Sequence, residues 1–429
     1  MRLAVPALLL LVVPTGALAQ PALQASEDAP PPAEEELVFG TAIGLDDPSG
    51  QAMYSFHQAL RRAEAGDDQA RIVFYGASHV ASDLFTNVVR QRLQERFGDA
   101  GHGYLMPVRP WRHYRHLGGP SVESSRNWTA FRIRASSRDV EQLGLAGMAV
   151  ETDRAAAWGR LDTGTSNAGR FVLHFMRQPG GGTFDVQLDG RRVRRIVTAA
   201  DEVAAGIVAL DPVADGHHTL EVRTRGDGPV RIFGVSVERE EAGVIVDTMG
   251  LNGARAVSQL MWQPELHAPA LQSLHPNLVV LAYGTNESGD DNHPIEAYET
   301  ELRRVVGRIR GIVPEASCLL IGPSDRPRRE EGELVDRPRT HEIVEVQRRV
   351  SRAFGCGFFD LVEFGGGPLS MVRWAETEPR YAQRDLVHFT ARAYLRLGDV
   401  LTDAIMAGYG PAEEAPAPSP IVTASRGSR

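Results

Sequence analysis

Cysteine is scarce in this chain: Cys318 and Cys356 are the only two among 429 residues. Neither belongs to a cluster of Cys and His with ligand spacing, and no His-x-x-x-His pair occurs, so neither a metal nor another cofactor is expected. Each opens an apolar, strand-like segment, CLLIGP or CGFFDL. An oxidising compartment would let them pair, and two buried free thiols fit the sequence equally well. An excess of positive charge is missing too. With 46 Lys and Arg against 55 Asp and Glu the formal net charge is −9, which argues against a nucleic-acid partner because backbone binding needs concentrated cations. The local exception, RPWRHYRH at 109–116, reads as a solvated surface loop that pairs with acids elsewhere rather than as a polyanion or glycan site. Apolar runs of membrane-spanning length are absent after the amino-terminal segment, so no later membrane span is expected. There is no internal repeat.

What the sequence does contain begins with MRLAVPALLLLVVPTGALAQ, one Arg, an apolar run and Ala17-Leu18-Ala19, the pattern of a secretory signal cleaved after Ala19. A periplasmic or secreted protein is the expectation, and no Cys follows the run for lipid attachment. Residues 20–45, rich in Pro, Ala and acid at their start, read as a disordered linker, and 411–429 as a disordered tail. Between them 42% hydrophobic content and the chain length allow at least two cores.

Two textures divide that region. RIVFYG at 71–76 is an apolar strand, and Leu84, Phe85, Val88, Val89, Leu93 and Phe97 form a helical stripe that Ser82 can cap. The alternation returns after 243 with VIVDTMG, LVVLAYG, a helix, SCLLIGP, a helix near 340–354, GFFDLV and a last helix from about Thr390. Strands alternating with helices predict a parallel sheet covered on both faces, an α/β domain over 46–104 and 241–410. Residues 105–240 instead hold short β-branched and aromatic strands between Gly, Asp and Pro turns, which predicts an inserted all-β sandwich. The strands at 171–175 and 218–224 alternate as half-buried strands do.

Three short motifs follow predicted strands, and a fourth opens the last predicted helix. Gly76-Ala77-Ser78-His79 puts a hydroxyl at a strand-to-helix turn, where backbone N–H groups can hold a developing negative charge. Asp247-Thr-Met-Gly-Leu-Asn-Gly253 offers a glycine whose N–H is unobstructed. Tyr283-Gly284-Thr285-Asn286-Glu287 supplies an amide donor. Asp385-Leu-Val-His388 places a carboxylate where it can fix an imidazole that acts as general base. Each alone is as readily an ordinary turn; Asn favours turns for local reasons, and a lone His more often packs than reacts.

In this order the four blocks resemble those of the SGNH (GDSL-like) hydrolases over about 70–104 and 243–408. The resemblance implies a flavodoxin-like three-layer α/β/α hydrolase interrupted by the β-sandwich. It implies Ser78 as nucleophile, His388 as base, Asp385 as its orienting partner, and an oxyanion hole from the Ser78 N–H, the Gly253 N–H and the Asn286 amide. Gly250 competes with Gly253 for the second block, but Leu-Asn-Gly-Ala-Arg is closer to the family's spacing. Two departures stand out: Ala77 replaces the usual Asp, so other bonds must brace that loop, and Glu287 stands where Asp is common. His79 and Asn252 are candidate substrate contacts, and His102, Tyr104 and Trp111 candidate cleft residues.

Ester hydrolysis through an acyl-serine is the expected reaction. Export, a sandwich similar to carbohydrate-binding modules and the Gly-Leu-Asn-Gly-Ala block resemble the peptidoglycan O-acetylesterase branch. That implies an acetylated cell-envelope or extracellular polysaccharide as partner. A lipase, thioesterase or arylesterase of the same fold, an acetyltransferase to sugar hydroxyls, and an inactive glycan-binding protein are the alternatives. Oligomeric state is left open.

Overall fold

Along the strand Gln69–Gly76 (β1), Ile72 and Phe74 point into one apolar core while Val73 and Tyr75 point into another. A strand buried on both faces needs a covering layer on each. The computed structural model describes residues 39–40, 44–133 and 139–410; the expected signal peptide, most of the linker and the tail 411–429 lie outside them. β1 is the second strand of a five-stranded parallel sheet. Its partners are Gly243–Gly250 (β2), Leu278–Ala282 (β3), Ser317–Ile321 (β4) and Gly357–Phe359 (β5), in the order β2-β1-β3-β4-β5. Helices Tyr54–Glu64, Leu84–Phe97 and Ala391–Met406 cover one face through residues such as Phe56, Val89 and Leu401. Helices Pro264–Ser273, Ile295–Ile312 and Pro338–Phe354 cover the other through Leu266, Val305 and Val346.

Register decides where the first three blocks end up. Gly76 pairs with Gly250 on one side and Ala282 on the other, and Ala282 pairs with Ile321. The carboxyl ends are therefore level, and whatever follows them emerges on one rim, where open α/β sheets bind ligands.

The β domain consists of two antiparallel five-strand paths. One runs Ala204–Ala209, Arg170–Arg177, Val230–Glu238, Met148–Thr152, Thr129–Arg132, with Gly103–Leu105 added to Val230–Glu238. The other runs Ser121–Ser124, Trp158–Asp162, Thr219–Thr224, Thr183–Leu188, Arg191–Val197. The sandwich thus starts two residues before 105. Its first strands escaped the sequence reading because they are short and, like Ser121–Ser124, poor in apolar residues. Arg170–Arg177 and Thr219–Thr224 are buried on more than one face rather than cleanly alternating, because the first is flanked by strands on both edges and shares the core of the α/β domain.

The two domains meet through an ion cluster. Arg71 on β1 contacts Glu238 of the sandwich at 2.6 Å and Asp247 of β2 at 3.1 Å, all three nearly inaccessible. Burial would lower the Arg71 pKa, but the two carboxylates outweigh it and hold the guanidinium charged. Glu238 stays below its ordinary value despite burial because Arg71 sits on it, whereas burial raises the deeper Asp247. Phe39 and Leu45, within the stretch expected as linker, pack against the core. Cys318 and Cys356 form a disulfide between β4 and the start of β5, settling the question the sequence left open.

Candidate active site

The turn after β1 carries Ser78 as the first residue of the short helix Ser78–Ala81. Backbone bonds brace this turn: the Ala81 N–H donates to the Ala77 carbonyl at 2.9 Å and the Leu251 N–H to the Gly76 carbonyl at 2.9 Å. Asp83, at positive φ, stands at the N-cap of the next helix, and Ser82 one residue earlier donates its hydroxyl to the His79 carbonyl and accepts the N–H of Leu84, the helix's first residue, at 3.4 Å. At the other end of the chain Asp385 Oδ1 accepts the N–H groups of Val387 and His388, both at 3.0 Å, folding Asp385–His388 into a tight loop. That loop puts His388 Nδ1 2.6 Å from Asp385 Oδ2 and His388 Nε2 2.8 Å from Ser78 Oγ. Partial burial would raise the Asp385 pKa, but the bonds from His388 and Val387 outweigh it and keep the carboxylate ionised. Residues 310 apart in sequence thus form a hydroxyl–imidazole–carboxylate relay.

The two glycines of the second block have different jobs. A Cβ on Gly250 would collide with the backbone of Ala81, so Gly250 serves the close packing of β2 on the nucleophile turn. Gly253 has φ +78 and open space at its Cβ position, and it lines the cleft with Ser78, Asn252, Asn286 and His388. Among the described residues neither the Ser78 nor the Gly253 N–H donates to a protein acceptor. The Asn286 amide donates one bond to the Ala254 carbonyl at 2.9 Å, which orients the group and leaves its second hydrogen. Glu287 is buried and clamps the two turns, accepting from the N–H groups of Ala256 at 2.8 Å and Gly284 at 3.0 Å. Burial raises its pKa against those bonds.

His79 is not where a substrate contact would be. Its ring is buried, with Nδ1 2.7 Å from the Tyr394 hydroxyl and Nε2 3.3 Å from Ser324 Oγ, so both nitrogens are engaged behind the catalytic rim. Tyr394 and Ser324 carried no motif signal; only the fold brings them to His79. Asn252 does line the cleft, whereas Tyr104 and Trp111 line a small neighbouring cavity. His102 is buried beside Asp83 and His116, and these three offer ligand atoms within 4.8 Å of one another. The Arg90 guanidinium already lies 3.3 Å from Asp83 Oδ1, so the carboxylate is compensated by a resident cation.

Burial holds several imidazoles neutral: His79 and His267 are lowered to about 3, His116 and His174 to about 4. In the unfolded chain these groups titrate near ~6.5. Between that value and about 4, the unfolded state binds protons that the folded state does not, so stability is full above it and falls with acidification. Urea unfolding measured from pH 7 to 4 is expected to show a steep loss starting below about pH 6.5. A flat profile would mean these rings are protonated in the folded protein.

Residues 211–396 match the family described as GDSL-like Lipase/Acylhydrolase. The match begins inside the β domain and takes in Gly253, Asn286, Asp385 and His388 but not Ser78, which the insertion separates from the rest. A solved structure described as "Peptidoglycan O-acetylesterase in action, 5 min" is 25% identical, with a TM-score of 0.67 over 85% of this chain and 99% of its own. Family two carbohydrate esterases from Clostridium thermocellum and Cellvibrio japonicus are 10% and 13% identical, with TM-scores of 0.28 and 0.27. They cover 67% and 66% of this chain and 98% of each of theirs. Overlays that loose support no inference. No curated protein matches the chain significantly in sequence. The fold and the family match indicate a carboxylic ester hydrolase that is similar to the SGNH (GDSL-like) class. Within that class the chain resembles the peptidoglycan O-acetylesterase branch.

Proposed function

We propose that the protein is an exported serine esterase that removes O-acetyl groups from a polysaccharide of the cell envelope or its surroundings, peptidoglycan first. The carrying observation is the relay from Ser78 through His388 to Asp385 at the mouth of an open cleft. Ser78 Oγ attacks the acetyl carbonyl as His388 Nε2 takes its proton, and Asp385 holds the ring and stabilises the imidazolium. The oxyanion is received by the Ser78 and Gly253 N–H groups and the Asn286 amide. Collapse of the tetrahedral adduct breaks the bond to the sugar oxygen, which leaves as a hydroxyl with the proton from His388. Water, activated by the same ring, then releases acetate from the acyl-serine.

The polysaccharide assignment draws on the likeness to a peptidoglycan O-acetylesterase, and on a β-sandwich sharing a core with the catalytic domain. Export draws on the amino-terminal segment and is consistent with the disulfide. The test is acetate release from acetylated peptidoglycan, acetylated xylan and p-nitrophenyl acetate, with a free sugar acceptor added in parallel. Fastest release from peptidoglycan is expected. Faster release from longer acyl esters would favour a lipase or thioesterase, and acetyl appearing on the acceptor a transferase.

A further inference from the structure

Among the described residues the basic loop pairs with an acid only through His116, which lies 3.9 Å from Asp83, and its arginines do not pair as the sequence suggested. Arg109, Arg112 and Arg115 are exposed and form no ion pair among the described residues. All three, with His113, line the same cleft of about 890 Å³ as Ser78, Asn286 and His388. Among the described residues no Asp or Glu lines that cleft, although the chain as a whole carries a formal charge of −9. The sequence contains no lysine, so these charges are guanidinium forks, shaped to take a carboxylate through two parallel hydrogen bonds.

The intervening residues hold the loop in place. Tyr114 packs on the core and its hydroxyl accepts the Met106 N–H at 2.8 Å and lies 2.9 Å from His116 Nε2. The Leu117 N–H donates at 2.8 Å to Asp83 Oδ2, five residues after the nucleophile. Trp111 packs on the core with the Arg132 guanidinium 5.4 Å from its ring centre. Anchored residues thus alternate with exposed cations, and the loop is tied to the turn that carries Ser78. An anchored backbone leaves less loop freedom to lose when the exposed guanidinium groups close on a ligand.

We propose that Arg109, Arg112 and Arg115 form a carboxylate-reading wall, so that the preferred substrate is an acidic glycan with a free carboxylate on, or next to, the acetylated sugar. The inference rests on the esterase reading of the same cleft and adds the chemical class of its substrate. Exposed ion pairs are individually weak, so three together are expected to favour the acidic substrate by about tenfold in kcat/KM, mostly through KM. Added salt should erode that preference, because exposed charges are screened.

The experiment compares acetylated polygalacturonate oligomers with acetylated xylan oligomers of equal length, at low and at 0.5 M salt, for the wild-type protein and for the triple variant Arg109→Gln, Arg112→Gln, Arg115→Gln. Turnover of p-nitrophenyl acetate in each preparation registers whether the relay is intact. The expected result is a salt-sensitive acid preference in the wild type that collapses in the variant through a rise in KM for the acidic oligomer alone. Equal acid-to-neutral ratios in wild type and variant, with esterase activity present in both, would overturn the wall and leave the esterase standing. Loss of p-nitrophenyl acetate turnover in the variant would also count against it, by showing that the loop acts on the relay and not on the glycan. No activity from the wild type on any ester would instead remove the esterase reading itself.

Discussion

Replacing Ser78 with alanine is expected to lower acetate release from every ester by about 10⁴-fold or more, leaving only the residual rate that binding and the oxyanion donors provide. Ser78 Oγ lies 2.8 Å from the His388 ring and has no other side-chain partner among the described residues, so the substitution removes the nucleophile and one bond while the turn, braced by backbone contacts, stays in place. The denaturant midpoint should therefore shift little. Asn286→Ala should cost less, about 10²- to 10³-fold in kcat, because it removes one of three oxyanion donors. Its KM should move little, since that bond strengthens only as the carbonyl oxygen becomes charged. Equal acetate release by wild-type protein and Ser78→Ala would place the nucleophile elsewhere and favour a glycan-binding role for the sandwich.

Arg71→Ala should cost about 3–5 kcal/mol of folding stability, because it leaves the buried Asp247 without its cation and Glu238 with only the half-exposed Arg170 at 3.6 Å. Arg71 is held by Glu238 at 2.6 Å and Asp247 at 3.1 Å, and its second amino group also donates to Ser236 Oγ at 2.9 Å. It is therefore a joint between β1, β2 and the inserted domain. Neutralising the whole cluster at once, Arg71→Met with Glu238→Gln and Asp247→Asn, should destabilise less than Arg71→Ala, because no charge is then buried alone. Equilibrium urea unfolding of the two variants measures the difference. A cost below about 1 kcal/mol for Arg71→Ala would show that water reaches the cluster and that the domains are held by apolar contact alone.

Much of this was legible in order along the chain. The strand segments at 71–76, 244–250, 278–284 and 317–323 are apolar runs bounded by turn residues, and each proved to hold a strand of the parallel sheet. Asp385 and His388 were legible because a turn can join residues three apart through their own backbone. Ser121–Ser124 and Thr129–Arg132 were not, since short strands with few apolar side chains give no period to read. His79 was misread for a related reason: its sequence neighbour is the nucleophile, but the first turn of a helix sends adjacent side chains in different directions. Ser78 faces the cleft, and His79 turns inward to Tyr394 and Ser324.

By itself the sequence determined the alternation of buried strands and amphipathic helices, the all-β insertion, and the residue types available at each strand end, because periodicity and turn chemistry are local properties of the chain. Tertiary structure alone decided the meeting of Ser78 with His388, the division of labour between Gly250 and Gly253, the pairing of Cys318 with Cys356, and the unpaired state of the arginines at 109–115. Each of these depends on the distance between groups far apart in sequence. Those distances are set by strand register and by which carboxylates the fold has already committed to other partners.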